Sequence, residues 1–117
     1  MALSVSVRKL KEFVIIELAG RWSVLEPPLR KQVSHLAGAC QGVLLLDLAN
    51  VSFMDASALG DLITIRNMLH QKGWHLILVR PTERIRRLLE MTKLTTVFEI
   101  FSDRSPAIVV STVHSLC

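Results

Sequence analysis

The chain has 117 residues, half of them hydrophobic, and carries 14 Lys and Arg against 10 Asp and Glu, for a net charge of +4. That length predicts one domain, 1–117 with a core of about 3–116, and the hydrophobic share argues against intrinsic disorder. No apolar run reaches the roughly 18 residues of a membrane span, and the opening MALSVSVRKLKEF alternates without a leader's apolar core, so a cytoplasmic protein with no membrane insertion is expected.

Leu3–Val7 alternates apolar and polar residues, as a half-exposed strand does. Arg8–Glu12 reads as a charged turn and Phe13–Leu18 (FVIIEL) as a second strand, the two forming a hairpin that Gly20 ends. Arg21–Glu26 is irregular. Pro27 and Pro28 suit a first helical turn and predict a helix to about Ala39, with Leu29, Val33 and Leu36 on its apolar face. Val43–Leu48 (VLLLDL) is a near-continuous apolar run, the pattern of a strand buried on both faces, and Ala49–Phe53 reads as the turn after it.

A helix from about Ser57 to Gln71 follows. Ala58, Leu62, Ile65 and Leu69 make its buried stripe, and Ser57, Asp61, Thr64, Met68 and Gln71 share the opposite face. Gly73 closes it. Trp74–Val79 (WHLILV) is the next strand, and Pro81 stops it. Thr82 is a good N-cap for a helix over Glu83–Met91, with Ile85, Leu88 and Leu89 inward and Arg84, Arg86 and Arg87 mostly outward. Val97–Phe101 is a short last strand, and Ser105-Pro106 opens a fourth helix toward Leu116. The order β-β-α-β-α-β-α-β-α predicts an α/β domain with a mixed, largely parallel sheet flanked by helices.

Little in this pattern supports an enzyme. The sequence has no GxxxxGK[ST], GxGxxG or GxSxG motif. Cys40 and Cys117 are too few for a disulfide framework, and His35, His70, His75 and His114 are scattered without metal-ligand spacing, so neither a metal nor a cofactor is expected. The basic balance permits an acidic partner but selects none. Tyr is absent and aromatic residues are few, which argues against a nucleic-acid stacking surface.

Four features are open to two readings. Asp47, inside the central strand, either bonds backbone at the strand's end or lines a site at the sheet's carboxyl edge. Asp55 either caps the second helix or orients the Ser57 hydroxyl. Ser57 is either a cap or a modification target at a helix N-terminus, where unpaired N–H groups and the positive end of the dipole meet. Arg80, Arg84 and Arg87 form either a solvated basic face or a patch for an acidic partner.

The stretch VLLLDLANVSFMDASALGDL resembles the central segment of the STAS domain, in particular that of the bacterial anti-sigma factor antagonists. Their pattern is an apolar strand ending in Asp, an apolar residue, then Asp-Ser-Ser-Gly-Leu-Gly and a helix. KGWHLILVRPTERIRRLLEMTKLTTVFEIFSD resembles the family's second half, and the likeness spans about Val5 to Thr112. The resemblance implies a non-enzymatic partner-switching regulator of transcription. Such a protein binds an anti-sigma factor that is also a serine protein kinase, is released when that kinase phosphorylates it, and is restored by a serine phosphatase. Carried over by position, the motif Asp is Asp55 and the phosphoacceptor is Ser57. The implied partner-binding residues are Asp55, Ser57, Ala58, Asp61, Thr64, Met68, Trp22 and Ser23.

The chain departs from the pattern at several places. Ala56 and Ala58 replace a Ser and a Gly on either side of Ser57, which leaves one hydroxyl. Asp61 stands where an apolar residue is usual, one turn from Ser57, where a phosphate would be repelled. In the turn after the second strand, Ser23 replaces an Asp, and Trp22 is either a partner anchor in an exposed loop or packs against the start of helix one. Lys93 stands where the third helix often ends in Gly. The same fold also serves as an accessory subunit docking on an ABC-transporter ATPase, or in stress-signalling scaffolds, without phosphorylation. A nucleotide- or ligand-binding module is the remaining alternative. The exposed first strand raises the question of self-association through a sheet edge.

Overall fold

The computed structural model describes residues 3–10, 13–23, 28–36 and 42–102. The described elements in chain order are β1 (Ser4–Leu10), β2 (Phe13–Trp22), α1 (Leu29–Leu36), β3 (Val43–Met54), α2 (Ala56–Gln71), β4 (His75–Val79), α3 (Glu83–Met91) and β5 (Glu99–Phe101), with a 3-10 turn at Leu94–Thr96. The sheet runs β1-β2-β3-β4-β5. β1 and β2 pair antiparallel as the expected hairpin, and every later neighbour is parallel. The mixed α/β sheet expected from the element order is therefore present. The expected fourth helix from Pro106, together with Cys40, His114 and Cys117, lies outside the described residues.

Side-chain alternation divides the sheet into two apolar faces. Val14, Ile16 and Leu18 of β2, Leu44, Leu46 and Leu48 of β3, and Leu76 and Leu78 of β4 point to the side on which α1, α2 and α3 pack. Ile15, Val43, Leu45, Ile77 and Val79 form a second buried cluster on the other side. β3 is thus buried on both faces, which is why its first half reads as an unbroken apolar run.

β3 does not stop at Leu48. It continues to Met54 against β2, which itself runs through Gly20 to Trp22. The expected turn at Ala49–Phe53 is strand, and Gly20 does not end β2. Two register shifts explain the difference. Between Glu17 and Ala19, and again between Gly20 and Arg21, β3 contributes one residue more than β2. Each such bulge breaks the period-two pattern. Helix-facing residues of β3 therefore fall at Leu48, Val51 and Met54, three apart, while β2 keeps its spacing of two at Leu18, Gly20 and Trp22. Gly20 sits at φ 108, a conformation that side chains other than glycine rarely adopt.

The local signals at the later helix ends hold. Gly73 adopts φ 77, its N–H donates to the His70 carbonyl at 3.1 Å, and the Trp74 N–H reaches the Leu69 carbonyl at 2.8 Å. The chain thereby leaves α2 for β4. Thr82 caps α3, its Oγ1 accepting from the Ile85 N–H at 3.3 Å. β4 and β5 each start slightly later than expected, and α1 starts at Leu29, just after the two prolines, while its expected end near Ala39 lies outside the described residues.

Lys93, just past α3, sits at φ 60 in the left-handed region. A non-glycine residue there is disfavoured by roughly 1–2 kcal/mol, part of which glycine would return as lost freedom of the unfolded chain. Lys93→Gly is expected to stabilise the fold by about 0.5–1 kcal/mol, read as a higher urea midpoint with an unchanged slope.

Candidate functional site

The site is built where β2 and β3 end together. Trp22 pairs with Met54 across the strands, and both side chains are buried in the main core. The Asp55 N–H then donates to the Trp22 carbonyl at 3.3 Å, so the first residue after β3 is tied to the last of β2. Asp55 itself is extended, at φ −99 and ψ −176, and its Oδ1 accepts from the Ala58 N–H at 2.9 Å. This is the N-cap arrangement, worth about 1 kcal/mol. Ala56, Ser57 and Ala58 form the first turn of α2, and Ser57 is exposed there. The free N–H groups and dipole of that turn would favour a negative group on the Ser57 hydroxyl.

The residues expected on the contact face differ in exposure. Trp22 is 1% exposed, so it is core and not a partner anchor in a loop. The strand's extension past Gly20 carries it inward. Ser23 follows it, half-buried, one step beyond the Trp22–Met54 pair and so alongside Asp55. Ala58 is buried beneath the first turn of α2. Thr64 is half-buried with its hydroxyl donating to the Gly60 carbonyl at 2.9 Å, and Met68 packs against the core.

The largest correction concerns Asp61, which is only 6% exposed. Its side chain turns toward α1. Oδ2 accepts from the Leu29 N–H at 2.7 Å, and Oδ1 pairs with the Arg30 guanidinium at 3.2 Å. Asp61 therefore caps a second helix from outside it and joins α2 to α1. The face opposite the core stripe is split. Asp61 is turned to α1, Thr64 and Met68 are half-buried, and the exposed ridge runs through Ala56, Ser57, Gly60 and Asn67.

Sequence reasoning missed Gly60. It lies inside α2, one turn from Ser57, and a Cβ placed there would meet nothing within 4 Å. Internal packing gives no reason for a glycine that weakens the helix by up to about 1 kcal/mol relative to alanine. An exposed glycine within a helix was the available signal.

The two-reading residues resolve as follows. Asp47 is buried at 3% exposure and accepts from the Ala49 N–H at 3.0 Å and from the Arg80 guanidinium. That is the structural reading. The hydrogen bond that Arg80 donates to Asp47, and then the charge of Asp47, hold the Arg80 guanidinium above its already high ordinary pKa. Arg80 thus turns inward, whereas Arg84 and Arg87 flank an apolar groove between the end of β3 and α3. Met54 and Ile85 form its buried floor, and Phe53, Leu88 and the 81% exposed Met91 its walls. Its volume is about 470 Å³. Among the described residues, no three His, Cys, Asp or Glu side chains converge on a metal-sized site, and no helix is long and apolar enough to cross a membrane.

This fold and helix start match a known family. The STAS domain model covers residues 5–107. The anti-sigma-B factor antagonist of Bacillus subtilis is 31% identical over 102 residues, covering 86% of this chain and 92% of that protein. The protein of the same name from Listeria monocytogenes is 28% identical over the same length, covering 86% and 90%. Among solved structures, the Bacillus cell fate determinant SpoIIAA in its phosphorylated form superposes with a TM-score of 0.66 at 18% identity, covering 95% of this chain and all of that one. The chain belongs to the STAS domain family, and its relatives there are anti-sigma factor antagonists.

The Asp61 clamp is testable. Asp61→Ala leaves the buried Leu29 N–H unpaired and is expected to destabilise by about 2–3 kcal/mol. Arg30→Ala removes only a half-exposed partner and should cost about 1 kcal/mol or less. Chemical denaturation of both variants checks the order.

Proposed function

We propose that this protein is an anti-sigma factor antagonist whose binding to an anti-sigma factor with serine kinase activity is ended by phosphorylation of Ser57. It acts in the cytoplasm as a binding protein without catalytic activity, and a serine phosphatase restores it. The observation that carries the reading is the exposed Ser57 hydroxyl on the first turn of a helix whose start is fixed by the Asp55 cap. The relatives' names support the class of function.

The arrangement of Asp61 removes an objection. A free carboxylate one turn from Ser57 would repel an incoming phosphate. Here that carboxylate is buried, paired with Arg30 and bonded to the start of α1. A phosphate on Ser57 brings a charge of about −1.5 to −2, compatible with the helix start but opposed to close docking of a partner over it. The contact face in this reading is the ridge of Ala56, Ser57 and Gly60, with Ser23 and Asp55 at its edge. Met68, half-buried against the core, plays no part in it, and Gly60 leaves room for a partner's backbone to approach.

The deciding experiment is intact-mass analysis of the protein from its native cells across growth phases, with the site mapped by digestion. A phosphorylated fraction localised to Ser57, absent in Ser57→Ala, is the expected result. A protein unmodified in every phase would sink the switch and favour constitutive docking on an ATPase or scaffold. Gly60→Ala provides a second check. It should raise the thermal midpoint, by about 0.5–1 kcal/mol in stability, while weakening calorimetrically measured affinity for the kinase partner. Unchanged affinity would remove Gly60 from the contact face.

A further inference from the structure

We propose that the groove between β3 and α3 is a second docking site, and that it takes an acidic segment of a protein partner through one bulky apolar side chain flanked by carboxylates. The inference rests on the partner-binding reading above, because the groove adjoins the same end of the fold. Phe53 and Met54, two of its lining residues, directly precede the Asp55 cap.

Its shape and charge select the occupant. The floor is apolar, formed by the buried Met54 and Ile85, while Leu88 and Phe53 are only partly covered and Met91 is 81% exposed. A flexible thioether in that position adapts to an inserted side chain. The polar rim is of one sign. Arg84 and Arg87 line the groove, and Arg21, which does not itself line it, stacks on the lining Phe53 ring with its guanidinium 4.2 Å from the ring centre. No carboxylate lines it. Glu83 holds Arg87 at 2.8 Å, but among the described residues no carboxylate pairs with Arg84 or Arg21. An apolar slot with the Arg84 and Arg87 cations at its lip matches an acidic peptide bearing an apolar anchor. A second copy of this chain fits poorly, since its net charge is +4.

The test uses the full chain with labelled methyl groups and backbone amides. The probes are a Glu-rich amphipathic peptide with spaced Leu and Phe, its Lys-for-Glu counterpart, and vesicles of anionic phospholipid. The acidic peptide should shift the Ile85, Leu88 and Met91 methyl signals, and the Lys counterpart should not. Arg84→Glu, an exposed substitution that leaves the remaining spectrum unchanged, should weaken the acidic peptide by about tenfold. Met91→Ala should weaken it by a few-fold. The proposal is overturned by an equal response to both peptides, by shifts confined to other surfaces, by no shift at millimolar peptide, or by vesicle binding in place of peptide. Concentration-dependent shifts without peptide would assign the groove to self-association instead. The two readings fail separately. Groove binding by a protein that is never phosphorylated removes the Ser57 switch alone, and Ser57 phosphorylation without groove binding removes this proposal alone.

Discussion

The parallel pairing of β2 with β3 beyond Asp47 is the constraint on which the rest of the site depends. The Glu17–Asp47 pair ends the regular part of this ladder. Had the strands separated there, α2 would begin without a fixed base. Two bulges instead keep the strands together to Trp22 and Met54, and they re-aim β3 so that Val51 and Met54 still face the helices. Burying the Trp22 indole contributes roughly 4 kcal/mol at about 25 cal/mol per Å². That is several times the worth of the Asp55 cap above it. The cap orients the first turn of α2, but the tryptophan and the strand end beneath it decide where that turn lies. The Asp55 N–H bond to the Trp22 carbonyl joins the two.

Buried charge is handled in two different ways. Asp47 sits on the face away from the described helices and is answered by Arg80, which itself sits at φ 52 directly after β4. Because Arg80 is held above its ordinary pKa, it stays charged at any pH short of strongly alkaline, and stability from its side of the pair is lost only there. Asp61 is answered mainly by backbone. The Leu29 N–H at the start of α1 is one of the donors that a helix cannot satisfy itself, and a carboxylate from α2 supplies the partner. One acid thereby caps α1, joins two helices and withdraws its charge from the surface around Ser57.

How much of this was legible in the sequence follows from the range of each signal. Signals confined to a few residues were readable. Thr82 and Asp55 as caps, Gly73 as a helix stop, and the stripe of Ala58, Leu62, Ile65 and Leu69 all depend on neighbours within one or two turns. The resemblance to STAS domains rests on the same kind of local pattern and located the family. What depends on distant partners was not readable. A bulge destroys the alternation by which a strand is recognised, so the second half of β3 looked like a turn. Trp22 looked exposed because nothing local says that β2 continues past a glycine. Asp61 looked like a surface acid because its partners are 31 and 32 residues away. The groove is likewise assembled from β3 and α3, which no single window contains.

The surface around Ser57 carries two features that the chain's own stability does not explain. Gly60 gives up helix propensity in open space, and Met91 leaves most of an apolar side chain in water beside the half-covered Phe53 and Leu88. Each is unfavourable for an isolated domain. A partner lying across the start of α2 and into the groove would gain from both, from the first by close approach and from the second by apolar burial. Charge would then set the direction of the switch. The Arg84 and Arg87 cations at the groove's lip would attract an acidic segment, and a phosphate added at the adjacent helix start would reduce that attraction while obstructing the close approach at Gly60. Helix propensity at Gly60 and apolar burial at Met91 are both below what an isolated domain would favour, and a partner bound across this end of the fold would offset both.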